Sequence, residues 1–163
     1  MNQELDMTFI GSDSKVDLAV MATIIGGFWV KSMRRNCALF DNDLNLAYIL
    51  AEIVAYNVSH MHANPAACRS LPQHLAAGTQ NSFLKPCNPY SIAEATGLPR
   101  ETVRRKIGRL EELGWLSRVP EGGVVVSPRC MGYFYDEAYP DVFFELKETF
   151  KHLRKHLPGK WFE

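Results

Sequence analysis

The chain predicts a mainly α fold with one small two-stranded β-hairpin and added helices at its N- and C-terminal ends. Three observations lead there. Apolar residues recur at helical spacing in separate stretches before, within and after the middle of the chain. Two short β-prone runs, residues 115–119 and 124–127, flank the turn-forming Pro120, Glu121, Gly122 and Gly123. The composition, 47% hydrophobic and 22% charged over 163 residues, is that of a globular chain long enough to bury a substantial core. No internal repeat or low-complexity segment interrupts it.

Residues up to about 14 are polar, without helical period, and read as a loose arm. They lack a basic segment ahead of an apolar one, so no secretory signal is expected and the cytoplasm is the expected location. Residues 16–35 are strongly apolar. Their uncharged run, 18–30, is 13 residues, short of the roughly 20 needed to cross a bilayer, so a buried helix is expected and no membrane. Gly26 and Gly27 would let another helix approach it closely.

Residues 41–61 predict a second helix, capped by Asp41 or Asp43, with Leu46, Ile49, Leu50, Ile53 and Val54 on its buried side. Between 62 and 90 the period is lost. Pro65, Pro72, Pro86 and Pro89 leave room for one or two short helical turns, near 65–69 and 72–77, in a segment that wraps the surface.

Residues 91–127 organise the rest. Ser91 followed by Glu94 has the capping-box pattern, predicting a short helix over 92–96. Gly97 stops it and Pro99 suits the start of the next, over 99–113. On that second helix Val103, Ile107 and Leu110 share one face. Arg100, Arg104, Arg105, Lys106 and Arg109 stand against one acid, Glu101, in a chain whose 18 basic and 18 acidic residues otherwise balance. The charge is local. An α-helix fits the major groove of duplex DNA, where arginine pairs with guanine edges and basic side chains meet phosphates.

Helix, tight turn, basic helix and two-stranded hairpin, carried by AEATGLPRETVRRKIGRLEELGWL and the following turn, resemble the winged helix-turn-helix of bacterial transcription regulators. The nearest likeness is the multiple-antibiotic-resistance regulator (MarR) group, with the gluconate-operon repressor (GntR) group next. The resemblance covers about 37 residues directly. It implies a sequence-specific regulator of transcription that binds double-stranded DNA with helix 99–113 in the major groove. Arg100, Thr102, Arg104 and Arg105 would be groove residues, Arg109 a phosphate contact at the helix end, and Arg118 a contact from the wing. Pro99 stands where many members carry a Ser or Thr cap. The wing tip holds an acid and no arginine, which moves the wing-side role to Arg118 and Arg129 at the hairpin base.

After the hairpin, Tyr133, Phe134, Tyr135 and Tyr139 predict a cover for the core or a pocket lining. Asp141 would then cap a last helix with Phe143, Leu146, Phe150, Leu153 and Leu157 on one stripe. The expected organisation is an arm and apolar dimerisation helix over 1–40, a winged core over 41–130 with an irregular insertion at 62–90, and a C-terminal helix over 131–163. First and last helices are more apolar than a small core can hide, and in the MarR group such helices pair between subunits. A homodimer is expected. By analogy, a small-molecule effector, of unknown identity, would sit in a cleft between those helices and the core.

No glycine-rich phosphate loop, GxSxG or HExxH is present, so no enzyme and no cofactor are expected. His60, His62, Cys68, His74 and Cys87 cluster in sequence, but their spacing matches no familiar metal site and none is assigned. Cys37, Cys68, Cys87 and Cys130 read as free thiols. The competing reading is a winged-helix module whose basic helix meets an acidic protein surface without sequence-specific DNA binding.

Overall fold

A computed structural model describes residues 12–61, 64–79, 83–120 and 122–162. Most of the expected N-terminal arm, His62 and Glu121 lie outside the described residues. The elements are α1 (Ser12–Ala38), α2 (Leu44–Asn57), α3 (Pro65–Ala76), α4 (Pro89–Thr96), α5 (Arg100–Glu112), β1 (Leu116–Arg118), β2 (Val124–Val126), α6 (Pro128–Tyr133), a π-helical turn (Phe134–Ala138) and α7 (Tyr139–His156). Short 3-10 turns occupy Ser59–Met61 and Gly159–Trp161. The protein is thus mainly helical with a small antiparallel pair of strands, as its periodicity predicts. It divides into a terminal unit, Met1–Arg35 with Pro140–Glu163, and a central unit, Asn36–Tyr139.

In the central unit, α2 starts at Asp43, whose carboxylate accepts the Leu46 N–H at 3.1 Å. Of the two expected caps, the structure uses this one. Asp41 and Asn42 instead hold φ of 52° and 65°, a region that short polar side chains tolerate better than other non-glycine residues. Leu46, Ile49, Leu50 and Ile53 are buried at the predicted spacing. The helix is shorter than 41–61: it ends at Asn57, whose side chain bonds the sheet, and a 3-10 turn over Ser59–Met61 carries the chain on.

The insertion departs from expectation. Instead of one or two isolated turns it forms the 12-residue α3, with Pro72 inside it. A proline there forfeits one backbone bond, and the half-buried Ala67 and buried Leu71 pack on the core to hold the helix together.

The capping box at Ser91 is not formed. Asn88 is the cap, its Oδ1 accepting the Ser91 N–H at 2.9 Å, and α4 begins at Pro89. Proline needs no N–H partner at the first helical position and has its φ preset, which moves the start upstream. Gly97, with φ of 68°, closes α4 as predicted.

β1 pairs with β2 in antiparallel register, Leu116 opposite Val126 and Arg118 opposite Val124. Cys87 adds a one-residue third rung: its N–H donates to Val124 O at 3.1 Å and its carbonyl accepts the Val124 N–H at 2.8 Å. Gly123, with φ of 98°, is required beside it, since a Cβ there would stand 2.8 Å from Cys87 O.

The terminal unit corrects two expectations. α1 runs 27 residues, and Cys37 is the one buried position among its described side chains, so it is not the buried helix predicted from 16–35. Ser14–Ala38, 25 residues, contains an 18-residue window of mean hydropathy 1.4 and is long and apolar enough to cross a bilayer by length and composition. The uncharged run understated this because the helix continues through its charged flanks. α7 begins at Tyr139, placing Asp141 inside its first turn rather than at its cap, because the π-helical turn runs straight into it. Within this unit Arg35 pairs with Glu145 at 2.7 Å, and Trp161 Nε1 donates to Asp17 Oδ2 at 2.9 Å.

Candidate nucleic-acid interface

Helix α5 is the most strongly two-sided element of the central unit. Val103, Ile107 and Leu110 are buried against α2 and α4, while Arg100, Arg104, Arg105 and Arg109 are exposed and Thr102 is half-buried. Pro99 makes no side-chain cap bond. Arg100 is instead steadied by Tyr90, its guanidinium 4.2 Å from the ring centroid. Tyr90 is exposed, and Glu94 beside it pushes the phenol above its ordinary pKa.

Three of the predicted arginines have carboxylate partners. Arg104 donates to both carboxylate oxygens of Glu101, at 2.8 and 2.7 Å, which holds Glu101 below the usual carboxylate range and raises Arg104. Arg109 pairs with Glu112 at 3.0 Å, and Arg118 on β1 pairs with Glu111 of α5 at 2.7 Å. The Arg104–Glu101 and Arg109–Glu112 pairs are exposed on both sides and so weakly held, whereas Glu111 is largely buried beneath Arg118. Of the predicted arginines, Arg105 alone has neither an ion-pair nor a ring partner among the described residues, although its charge helps to hold Glu101 below the usual carboxylate range. Arg129 is committed elsewhere: Nη1 donates to Leu113 O at 2.8 Å, satisfying a carbonyl at the end of α5.

The orientation of α5 is set from behind. Lys106, 19% exposed, forms a salt bridge with Asp43, so the same carboxylate caps α2 and holds α5. Lys106 lowers the Asp43 pKa first, with the Leu46 and Asn45 backbone bonds adding to the effect. The hairpin is fixed by Asn57, which is fully buried. Its Nδ2 donates to Lys85 O at 2.8 Å and Val124 O at 3.4 Å, and its Oδ1 accepts the Val126 N–H at 2.8 Å. Ser127 closes the base, its hydroxyl donating to Gly114 O and its backbone N–H to Trp115 O. Neither Asn57 nor Asp43 stands out in sequence as a positioning residue, because their partners lie 28 to 69 residues away.

The four cysteines are free thiols among the described residues. Burial pushes Cys87 up to about 11 and Cys130 up to about 12, which leaves both inert at neutral pH. No group of three or more His, Cys, Asp or Glu side chains with metal-binding geometry occurs among the described residues. His60 and His74 instead pack on Phe83, His74 stacked at 4.4 Å.

Comparison with protein-family models, with curated proteins and with solved structures yields no match.

Proposed function

We propose that this chain is a winged helix-turn-helix regulator of the MarR-like kind that binds duplex DNA as a homodimer, with α5 in the major groove. The observation that carries the reading is the two-sidedness of α5: a fully buried apolar face locked to α2, and an outer face of four exposed arginines and a threonine. The order of parts supports it. A short helix and an αL glycine precede α5, and a hairpin tied to its C-terminal end follows. Arg105 and Arg104 would meet base edges or phosphates, Arg100 and Arg109 phosphates at the helix ends, and Thr102 the groove. Arg118 would exchange Glu111 for the DNA backbone.

The second copy accounts for the terminal unit, whose Trp29, Met33, Phe143, Phe144 and Phe150 are exposed on one chain. Two recognition helices related by a two-fold axis would meet half-sites about 34 Å apart and read a palindrome. Elution as a dimer at micromolar concentration is expected. A chain that is monomeric, or that stays in solution only with detergent, would give the apolar helix another role.

The test is selection of bound duplexes from a random pool at two salt concentrations. Enrichment of a palindrome is the expected result. Weak, unselective, salt-sensitive binding would turn the reading toward a protein-interaction module. Arg105→Ala should then cost about 1–3 kcal/mol at a base contact, or lower the salt slope by about one at a phosphate. No change of either kind removes Arg105 from the interface.

A further inference from the structure

Within the central unit, α2, α3, α6 and the π-helical turn surround a cavity of about 180 Å³. Its wall is apolar, with Val54 on α2, Val58 just past the end of that helix, Leu71 on α3 and Phe134 from the π-helical turn. Cys68, Tyr135 and Tyr139 form its exposed mouth. Neither tyrosine hydroxyl is hydrogen-bonded among the described residues. Partial burial keeps both phenols above their ordinary pKa, so both remain donors.

A second observation marks the same place. The Tyr139 N–H bonds Phe134 O, five residues back, and that single wide turn supplies Phe134, Tyr135 and Tyr139 to the cavity. Such turns are rare and concentrate at functional sites. Two of the other lining residues, Cys68 and Leu71, come from the inserted segment 62–90. The cavity is therefore internal to the central unit and built partly by that insertion.

Size and lining select the occupant. An apolar cavity of roughly 150 Å³ takes up benzene, so this one admits one ring or two fused rings. No charged side chain lines it, and an ionised group would lose its hydration without a counter-charge. We infer that the cavity binds an uncharged one- or two-ring aromatic molecule carrying a single hydroxyl or ring N–H. The rings lie among Val54, Val58, Leu71 and Phe134, and the polar atom meets the Tyr135 or Tyr139 hydroxyl.

The occupant would touch two supports of the interface. Val58 follows Asn57, which pins β2, and Phe134 packs on Trp115, ring centroids 6.4 Å apart, directly after α5. Occupancy thus biases the seating of the hairpin and α5. That coupling rests on the proposed DNA binding, whereas occupancy of the cavity does not.

The test uses the full chain, with indole as probe and benzoate as its charged counterpart, followed by calorimetry and methyl NMR. Saturable indole binding is expected with a Kd of about 1 mM or tighter. Shifts should be confined to the methyls of Val54, Val58, Met61, Leu71 and Met131, with benzoate weaker by about tenfold or more. Cys68→Phe, which puts a ring into the mouth from an exposed position, should abolish binding, while Cys68→Ser should keep it. Absence of saturation, shifts that fall on α1 and α7, or equal binding of benzoate would overturn the site. If Cys68→Phe fails to fold, the wild-type shift map decides alone. Indole that binds without changing duplex affinity supports the site and overturns the coupling.

Discussion

Ile49 and Ile53 on α2 are wholly buried, whereas Trp29 on α1 and Phe143 on α7 are 60% and 69% exposed, although all four lie on helices rich in apolar residues. The polar groups divide the same way. Asn57 in the central unit has both ends of its amide bonded. The buried side-chain atoms without a partner among the described residues, Ser32 Oγ, Arg35 Nη1 and Glu145 Oε2, all belong to the terminal unit. In the central unit α2, α4, α5 and the hairpin close a core of their own. In the terminal unit Leu153 on α7 and Leu157 just past its end are the main buried residues, since a pair of helices hides only the stripe each turns to the other. The central unit thus closes its own core, whereas the terminal unit leaves large apolar side chains exposed and, among the described residues, three buried polar atoms without a partner.

Substitutions sharpen or break that contrast. Ile53→Ala should cost about 2–5 kcal/mol in urea unfolding, because the side chain is wholly buried on α2, a helix packed against α5 and β2. A loss under about 1 kcal/mol would mean that the central core is loosely packed. Asn57→Ala strands the Val126 N–H and Lys85 O together and should cost about 2–4 kcal/mol by the same measurement. Were it neutral, Asn57 would not be what fixes the hairpin.

A smaller effect is expected at the link between α2 and α5. Asp43→Asn should cost about 0.5–1 kcal/mol at neutral pH, a modest figure because the pair is partly exposed. Its pH dependence has a definite sign. Asp43 is held below its ordinary 3.8 by Lys106, so the folded state favours the ionised form. The contribution is whole above about pH 4 and is lost as the pH falls through the depressed value, where wild type and variant should converge. A gap that widened in acid would contradict the bridge. Smallest of all, Phe143→Ser with Phe150→Ser should leave central-unit stability within about 0.5 kcal/mol, followed by the fluorescence of the buried Trp115. The same pair should shift the elution volume toward a monomer, and an unchanged volume would remove these rings from the proposed dimer seam.

The periodic features were legible from sequence. Val103, Ile107 and Leu110 on α5, Leu46 to Ile53 on α2 and the two β-prone runs around Gly122 and Gly123 all occupy the elements and faces that their spacing predicts. The candidate interface was half legible. The arginines of α5 could be named, but not that Glu101, Glu112 and Glu111 pair with three of the predicted arginines, nor that Arg129 is used at the end of α5. The cap at Asn88 and the helix through Pro72 are not legible in sequence, because the Ser91–Glu94 spacing offers a competing cap and a lone proline ordinarily ends a helix.

By itself the sequence determined a helical chain with one hairpin and a basic helix buried on one side, because period and charge are written residue by residue. Only the tertiary structure decided that Asp43 holds Lys106, that Asn57 and Cys87 tie the hairpin to the core, that a π-helical turn opens a cavity beside α3, and that α1 and α7 stay exposed. Those outcomes depend on which distant side chains meet. No short-range pattern encodes a partner 60 residues away, or says whether an apolar face will find one within its own chain.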